Sequence, residues 1–93
     1  MERRVLSREE LSADLEALNG WEVEGNELVS RRKFENFAEA LAFVNKVGEV
    51  AEAADHHPDI KFGWGFAEVR LTTHDRGGIT DVDLAVAGKI SKL

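Results

Sequence analysis

NFAEALAFVNKVGEVAEAADHHPDIKF, residues 36–62, closes one element and begins another, and the way it does so decides the fold. Asn36 followed three residues later by Glu39 is the pattern of a helix N-terminus, where a side-chain oxygen accepts a backbone N–H of the first turn. Apolar side chains then recur at helical spacing to about Asp55. They form two stripes, Phe37, Leu41, Val44, Gly48 and Ala51 on one side, Phe43, Val47, Val50 and Ala54 on another. One stripe can pack on a sheet; the other either widens the same core or meets a second subunit. Phe43, Val47 and Val50 are the expected subunit contact. Pro58 cannot continue the helix and pushes His57 toward extended backbone, so His56 and His57 stand at a helix-to-strand junction. Asp59 to Phe62 reads as a short strand.

Upstream, Ser7-Arg8-Glu9-Glu10 is a capping box with Leu6 and Leu11 placed as a hydrophobic staple. Leu11, Leu15 and Leu18 continue that helix, and Asn19-Gly20 stops it. Trp21 and Val23 alternate with Glu22 and Glu24, and after Gly25-Asn26 a second alternating run from Leu28 to Phe34 predicts a hairpin. Downstream, Gly63-Trp64-Gly65 reverses the chain, and Ala67, Val69 and Leu71 alternate with Glu68, Arg70 and Thr72 in a fourth strand. His74 falls on the polar parity at its end. Gly77-Gly78 breaks the chain, Thr80 and Asp83 form a last cap, and Val82, Val86 and Ile90 mark a third helix. The order is helix-strand-strand-helix-strand-strand-helix. Its simplest packing is a single α+β domain over residues 1–93, a four-stranded antiparallel sheet with three helices on one face.

The chain of 93 residues, 43% hydrophobic, fits one small domain, and oligomerisation is a natural way for so small a domain to bury more surface. A formal charge of -6 with no basic cluster argues against nucleic acid as a partner. With no cysteine, disulfides and thiolate chemistry are excluded. Met1-Glu2-Arg3-Arg4 leads into charged residues rather than a secretory apolar run, and nothing approaches a membrane span, so a cytoplasmic protein without a membrane partner is expected.

Chemistry concentrates on the three histidines, His56, His57 and His74, the side chains that titrate nearest neutrality. Glu52 and His56 are four apart at a helix end, where a carboxylate can hold the imidazole in one orientation; the bland alternative is a solvated pair of little consequence. The helix C-terminus and the flanking Asp55 and Asp59 favour imidazolium there. A zinc site is the rival reading, since Glu52, His56, His57 and His74 supply enough donors, but there is no His-x-x-x-His pair and adjacent histidines chelate one ion awkwardly. Asp83 reads equally as a capping carboxylate that fixes the loop after His74. Trp21 is a core residue or the wall of a heterocycle pocket, and Trp64 a turn aromatic.

Glu52, three residues, His56-His57-Pro58, five residues, Trp64, nine residues, His74, eight residues, Asp83: that spacing resembles the signature of the pterin-4a-carbinolamine dehydratases. Gly20-Trp21, Arg32-Lys33-Phe34 and Asn36-Phe37 extend the resemblance over nearly the whole chain. It implies the same α+β arrangement and a hydro-lyase that dehydrates 4a-hydroxytetrahydropterin to quinonoid dihydropterin in tetrahydropterin recycling. It implies His56, His57 and His74 as the catalytic group, with Glu52 and Asp83 in support, and His57 and Trp21 are taken as contacts to the pterin. No metal and no cofactor is expected, the pterin being the substrate. Association as a homodimer or homotetramer through the second helix is expected. The alternative is a non-catalytic assembly role, since animal members of the family also act as a dimerisation cofactor of a homeodomain transcription factor.

Overall fold

In the computed structural model, which describes residues 4–93, helix α1 (Arg8–Leu15) precedes a hairpin of β1 (Trp21–Glu24) and β2 (Glu27–Lys33). Helix α2 (Phe37–Ala54) leads to a second hairpin of β3 (Asp59–Gly63) and β4 (Phe66–Leu71), and α3 (Asp81–Ser91) closes the chain. The charged start read over Met1, Glu2 and Arg3 lies outside the described residues. The order is the expected one, and the sheet is antiparallel throughout in the order β1-β2-β4-β3. The two hairpins therefore meet along β2 and β4, with Leu28 opposite Leu71 and Ser30 opposite Val69. Among the described residues no helix is long and apolar enough to cross a membrane.

Alternation along the strands separates two sheet faces. Trp21, Leu28, Ala67, Val69 and Leu71 turn toward the helices and join Leu11, Phe43, Val47, Val86 and Ile90 in the core. On the other face Arg31 and Arg70 bridge Glu24, Glu27 and Glu68, covering the buried Val29. Hydrogen bonds from Arg31, and less so Arg70, hold the Glu24 carboxyl below its usual range; Arg70 chiefly does the same for Glu68.

Capping follows the expected residues, with differences at the ends. Ser7 and Glu10 form the full capping box of α1. The helix stops at Leu15, three residues before Leu18, and finishes in turns that bond Ala17 to Asp14 and Leu18 to Leu15. Asn36 accepts from Glu39 N–H at 2.9 Å, while the Glu39 carboxylate accepts from Glu35 N–H rather than closing the box on Asn36.

The subunit contact expected at Phe43, Val47 and Val50 is corrected. Phe43 and Val47 are buried against the sheet, and Val50 packs on the same core. Two groups from β2 and its end hold that stripe inward. The Phe34 ring lies 5.3 Å from that of Phe43, and the Arg32 guanidinium sits 4.5 Å above the Phe43 ring. Arg32 also donates to the Ile90 and Leu93 carbonyls at the end of α3, tying the two helices to one strand. The outward stripe of α2 is instead Phe37 and Leu41, 45% and 39% exposed, with half-buried Val44 behind them.

Candidate active site

Helix α2 ends one residue earlier than expected, and this decides where the two adjacent histidines go. Asp55 takes the left-handed conformation (φ 50°, ψ 44°), tolerated by aspartate better than by most residues with a Cβ. His56 N–H then bonds the Ala51 carbonyl at 3.1 Å and Asp55 N–H the Glu52 carbonyl at 3.2 Å. This pair of bonds is the Schellman motif, in which the residue after the left-handed one folds back on the last turn. His56 occupies that position, so its ring is turned inward and is only 7% exposed. Pro58 next door keeps His57 extended, and the His57 ring stays outside.

Each imidazole has its own carboxylate. His56 Nε2 lies 2.5 Å from Asp83 Oδ1, a residue with no exposed surface. His57 Nε2 pairs with Glu52 Oε2, and that pair is solvent-facing. The expectation that Glu52 orients His56 is therefore corrected: Glu52 holds His57, and Asp83 holds His56. The i to i+4 neighbour rule applies within a helix, and His56 has left the helix across Asp55.

Asp83 serves two elements at once. As third residue of α3 it completes the capping box, accepting Thr80 N–H at Oδ2 over 2.8 Å, while Thr80 Oγ1 accepts Val82 N–H at 3.3 Å. The cap expected from the sequence is thus present. The same Oδ2 accepts the Thr73 hydroxyl at 2.8 Å, and Thr73 Oγ1 lies 2.7 Å from Thr80 Oγ1. Thr73 was not singled out by the sequence reading. Its signal was parity: it follows Ala67, Val69 and Leu71 on the buried side of β4, a polar residue in an apolar series.

His74, next to Thr73, opens a short 3₁₀ turn (His74–Arg76) that the strand-end reading did not anticipate. The turn is closed by Thr73 N–H to the Gly78 carbonyl at 3.0 Å and by Gly77, whose φ of 74° suits a residue without Cβ. Space is tight at Gly78 as well: a Cβ there would come 3.0 Å from Val5 Cγ1, since the segment before α1 crosses this loop. His74 is exposed, and its ring makes no hydrogen bond to a described residue.

The structure thus ties His56, Asp83, Thr73 and the backbone carrying His74 into one framework, with His57 and Glu52 beside it on the exposed side of the same junction. Trp21 is a core residue, its indole N–H donating to Ser91 Oγ at 2.9 Å. Trp64 is 72% exposed at the β3–β4 turn. Among the described residues no three His, Cys, Asp or Glu side chains converge as a metal-binding group. Chemically, the framework offers imidazoles to exchange protons and carboxylates to orient them.

Comparison with known proteins bears on the family and the fold. The family model described as pterin 4 alpha carbinolamine dehydratase matches residues 4–93. A protein of Nostoc sp., provisionally named a pterin-4-alpha-carbinolamine dehydratase, is 48% identical over 90 residues, 97% of both chains. The crystal structure of a transcriptional coactivator/pterin dehydratase from Brucella melitensis superposes with a TM-score of 0.89 at 32% identity, covering 96% of this chain and 97% of that one. A pterin dehydratase-like protein identified as a RuBisCO assembly factor in the alpha-carboxysome shares the fold, with a TM-score of 0.62 at 22% identity over 77% of this chain and 83% of that one.

Proposed function

The chain belongs to the pterin 4 alpha carbinolamine dehydratase family, and from that premise we propose that it dehydrates 4a-hydroxytetrahydropterin to quinonoid dihydropterin. The observation that carries the reading is the buried His56–Asp83 pair, joined at Asp83 to Thr73, the residue beside His74. In the reaction the hydroxyl on carbon 4a takes a proton and leaves as water, the proton on nitrogen 5 is lost, and a double bond forms between the two atoms. One imidazolium and one imidazole are sufficient for both transfers. His56 and His74 share the acid and base roles, each transfer worth about two to four orders of magnitude in rate. His57, steadied by Glu52, binds and positions the pterin. No further cofactor enters this scheme.

The test is direct assay of the protein with freshly generated carbinolamine, following its loss against the spontaneous rate. Acceleration that survives a chelator is expected; activity lost to the chelator and restored by zinc favours the metal reading instead.

A second reading, a protein-assembly role, is favoured by one observation: α2 presents Phe37 and Leu41 outward, with Gly48 on the same side adding no side chain. We take the occupant to be a second copy, since a single apolar helix face is self-complementary about a two-fold axis. Leu41→Glu then yields a smaller species by light scattering. A monomeric wild type contradicts the association. A folded protein without dehydratase activity, but with that association intact, supports the assembly role over catalysis.

A further inference from the structure

We propose that Thr73 is a positioning residue of the histidine site, its hydroxyl holding the Asp83 carboxylate against His56 in a one-way chain of donors that fixes His56 as its Nε2–H tautomer. The proposal deepens the function above and rests on it for the effect on turnover only. The protonation pattern stands on the hydrogen bonds alone.

The direction of each bond follows from which groups can donate. A backbone N–H only donates, so Asp83 Oδ2 accepts from Thr80 N–H at 2.8 Å. The same oxygen lies 2.8 Å from Thr73 Oγ1, and with a carboxylate as acceptor the Thr73 proton points to Asp83. That hydroxyl has one proton, so the 2.7 Å contact between the two threonines must be made by the Thr80 proton, donated to Thr73 Oγ1. Thr80 Oγ1 keeps a lone pair for Val82 N–H. The other carboxylate oxygen, Oδ1, faces His56 Nε2 at 2.5 Å. Asp83 already accepts two hydrogen bonds at Oδ2 and acts as the acceptor of this chain at Oδ1 as well, so Nε2 carries the hydrogen. Every donor proton in the chain thus has an acceptor.

Two consequences for the site follow. First, the tautomer leaves Nδ1 as the nitrogen that takes a proton. Among the described residues no buried side-chain nitrogen or oxygen lacks a partner, and the protein bonds the His56 ring at Nε2 only. Nδ1 is therefore reachable by water or by a bound molecule. Second, Thr73 is covalently next to His74, so the hydroxyl that steadies the carboxylate of one histidine also anchors the backbone of the other. A methyl group in its place leaves Asp83 with one donor fewer and leaves the Thr80 hydroxyl without its acceptor, in a site with no exposed surface at Thr80 or Asp83.

The experiment is nitrogen-15 NMR of the histidine rings in the full chain, with turnover on freshly generated carbinolamine measured on the same samples. Wild-type His56 is expected as the Nε2–H form. Thr73→Val is expected to move the Nε2–H signal, speed its exchange with water and lower turnover by up to about 100-fold. Thr73→Ser, which keeps the hydroxyl, restores both. An Nδ1–H tautomer in wild type overturns the donor chain. A folded Thr73→Val protein with unmoved His56 signals and wild-type turnover overturns the role of Thr73. If Thr73→Val does not fold, the wild-type Thr73 hydroxyl proton decides. Slow exchange and a cross-peak to Asp83 or Thr80 support the chain, and rapid exchange with water overturns it. A wild type that fails to accelerate dehydration sinks the proposed function, while the nitrogen spectra still judge the donor chain.

Discussion

His56 and His57 are neighbours in sequence and opposites in setting. One is buried and bonded to a carboxylate with no exposed surface; the other is 55% exposed and paired with a glutamate that is 77% exposed. A single left-handed residue, Asp55, and a single proline, Pro58, separate their fates. Two histidines adjacent in sequence therefore need not form one functional unit. The buried ring belongs to a network that also caps a helix, so it is coupled to folding. The exposed ring faces solvent.

That comparison is broken most severely at Asp83. Asp83→Ala leaves the His56 ring, the Thr73 hydroxyl and the Thr80 N–H without their acceptor in a buried site, and these unsatisfied donors together are expected to lower stability by about 3–5 kcal/mol. Urea unfolding measures it; a loss under about 1 kcal/mol would mean that the network is not coupled to the fold.

The histidines themselves separate stability from turnover. His56→Ala leaves the Asp83 carboxylate without its partner and is expected to be about 1–3 kcal/mol less stable than wild type. His57→Ala, at the surface, is expected within about 0.5 kcal/mol of wild type. Turnover of His57→Ala nevertheless falls by about 100-fold, as expected when the substrate loses a positioning contact. Equal stability losses in the two variants, read by thermal or urea unfolding, would erase the distinction between the sites.

Glu52→Gln tests the exposed side. An exposed side-chain pair contributes about 0–1 kcal/mol, so unfolding changes little, while turnover drops by about tenfold if Glu52 steadies a substrate-positioning ring. Steady-state kinetics at two salt concentrations checks this, because an exposed pair is screened by salt.

The smallest effect lies in the capping boxes, which repeat the contrast. Thr80–Asp83 is buried, whereas Ser7–Glu10 is at the surface. A hydrogen bond from Arg4, then one from Ser7 N–H, holds the Glu10 carboxyl at about 2, below its usual range. A lowered carboxyl stabilises the fold above its unfolded-state range and loses that contribution as pH falls toward about 2. Glu10→Gln is therefore expected to flatten slightly the acid limb of a stability-against-pH curve, and an unchanged limb would contradict the pairing.

Much of this was legible in the sequence because it depends on local rules. Ser7 with Glu10, Asn36 with Glu39 and Thr80 with Asp83 each mark a helix start. Strand parity separated Ala67, Val69 and Leu71 from Glu68 and Arg70. The signature positions from Glu52 to Asp83 were visible as a spacing. What was not legible depends on three-dimensional choices. The two stripes of α2 are similarly apolar, so periodicity cannot say which faces the sheet; Arg32 and Phe34 decide it from another element. The partner of Glu52 turned on the backbone of Asp55, which no spacing rule supplies. Thr73 was hidden because a threonine at a strand end is ordinary until its hydroxyl is seen between Thr80 and Asp83.

In the proposed reaction proton transfer at the pterin runs through histidines held on the Asp83 framework, and His74 is the member whose ring makes no hydrogen bond to a described residue. The decisive measurement is the dehydration rate of freshly generated carbinolamine with wild type and with a folded His74→Ala protein. Clear acceleration by wild type is expected, with a fall of about two to four orders of magnitude in the variant. Wild-type rates in folded His74→Ala would contradict it.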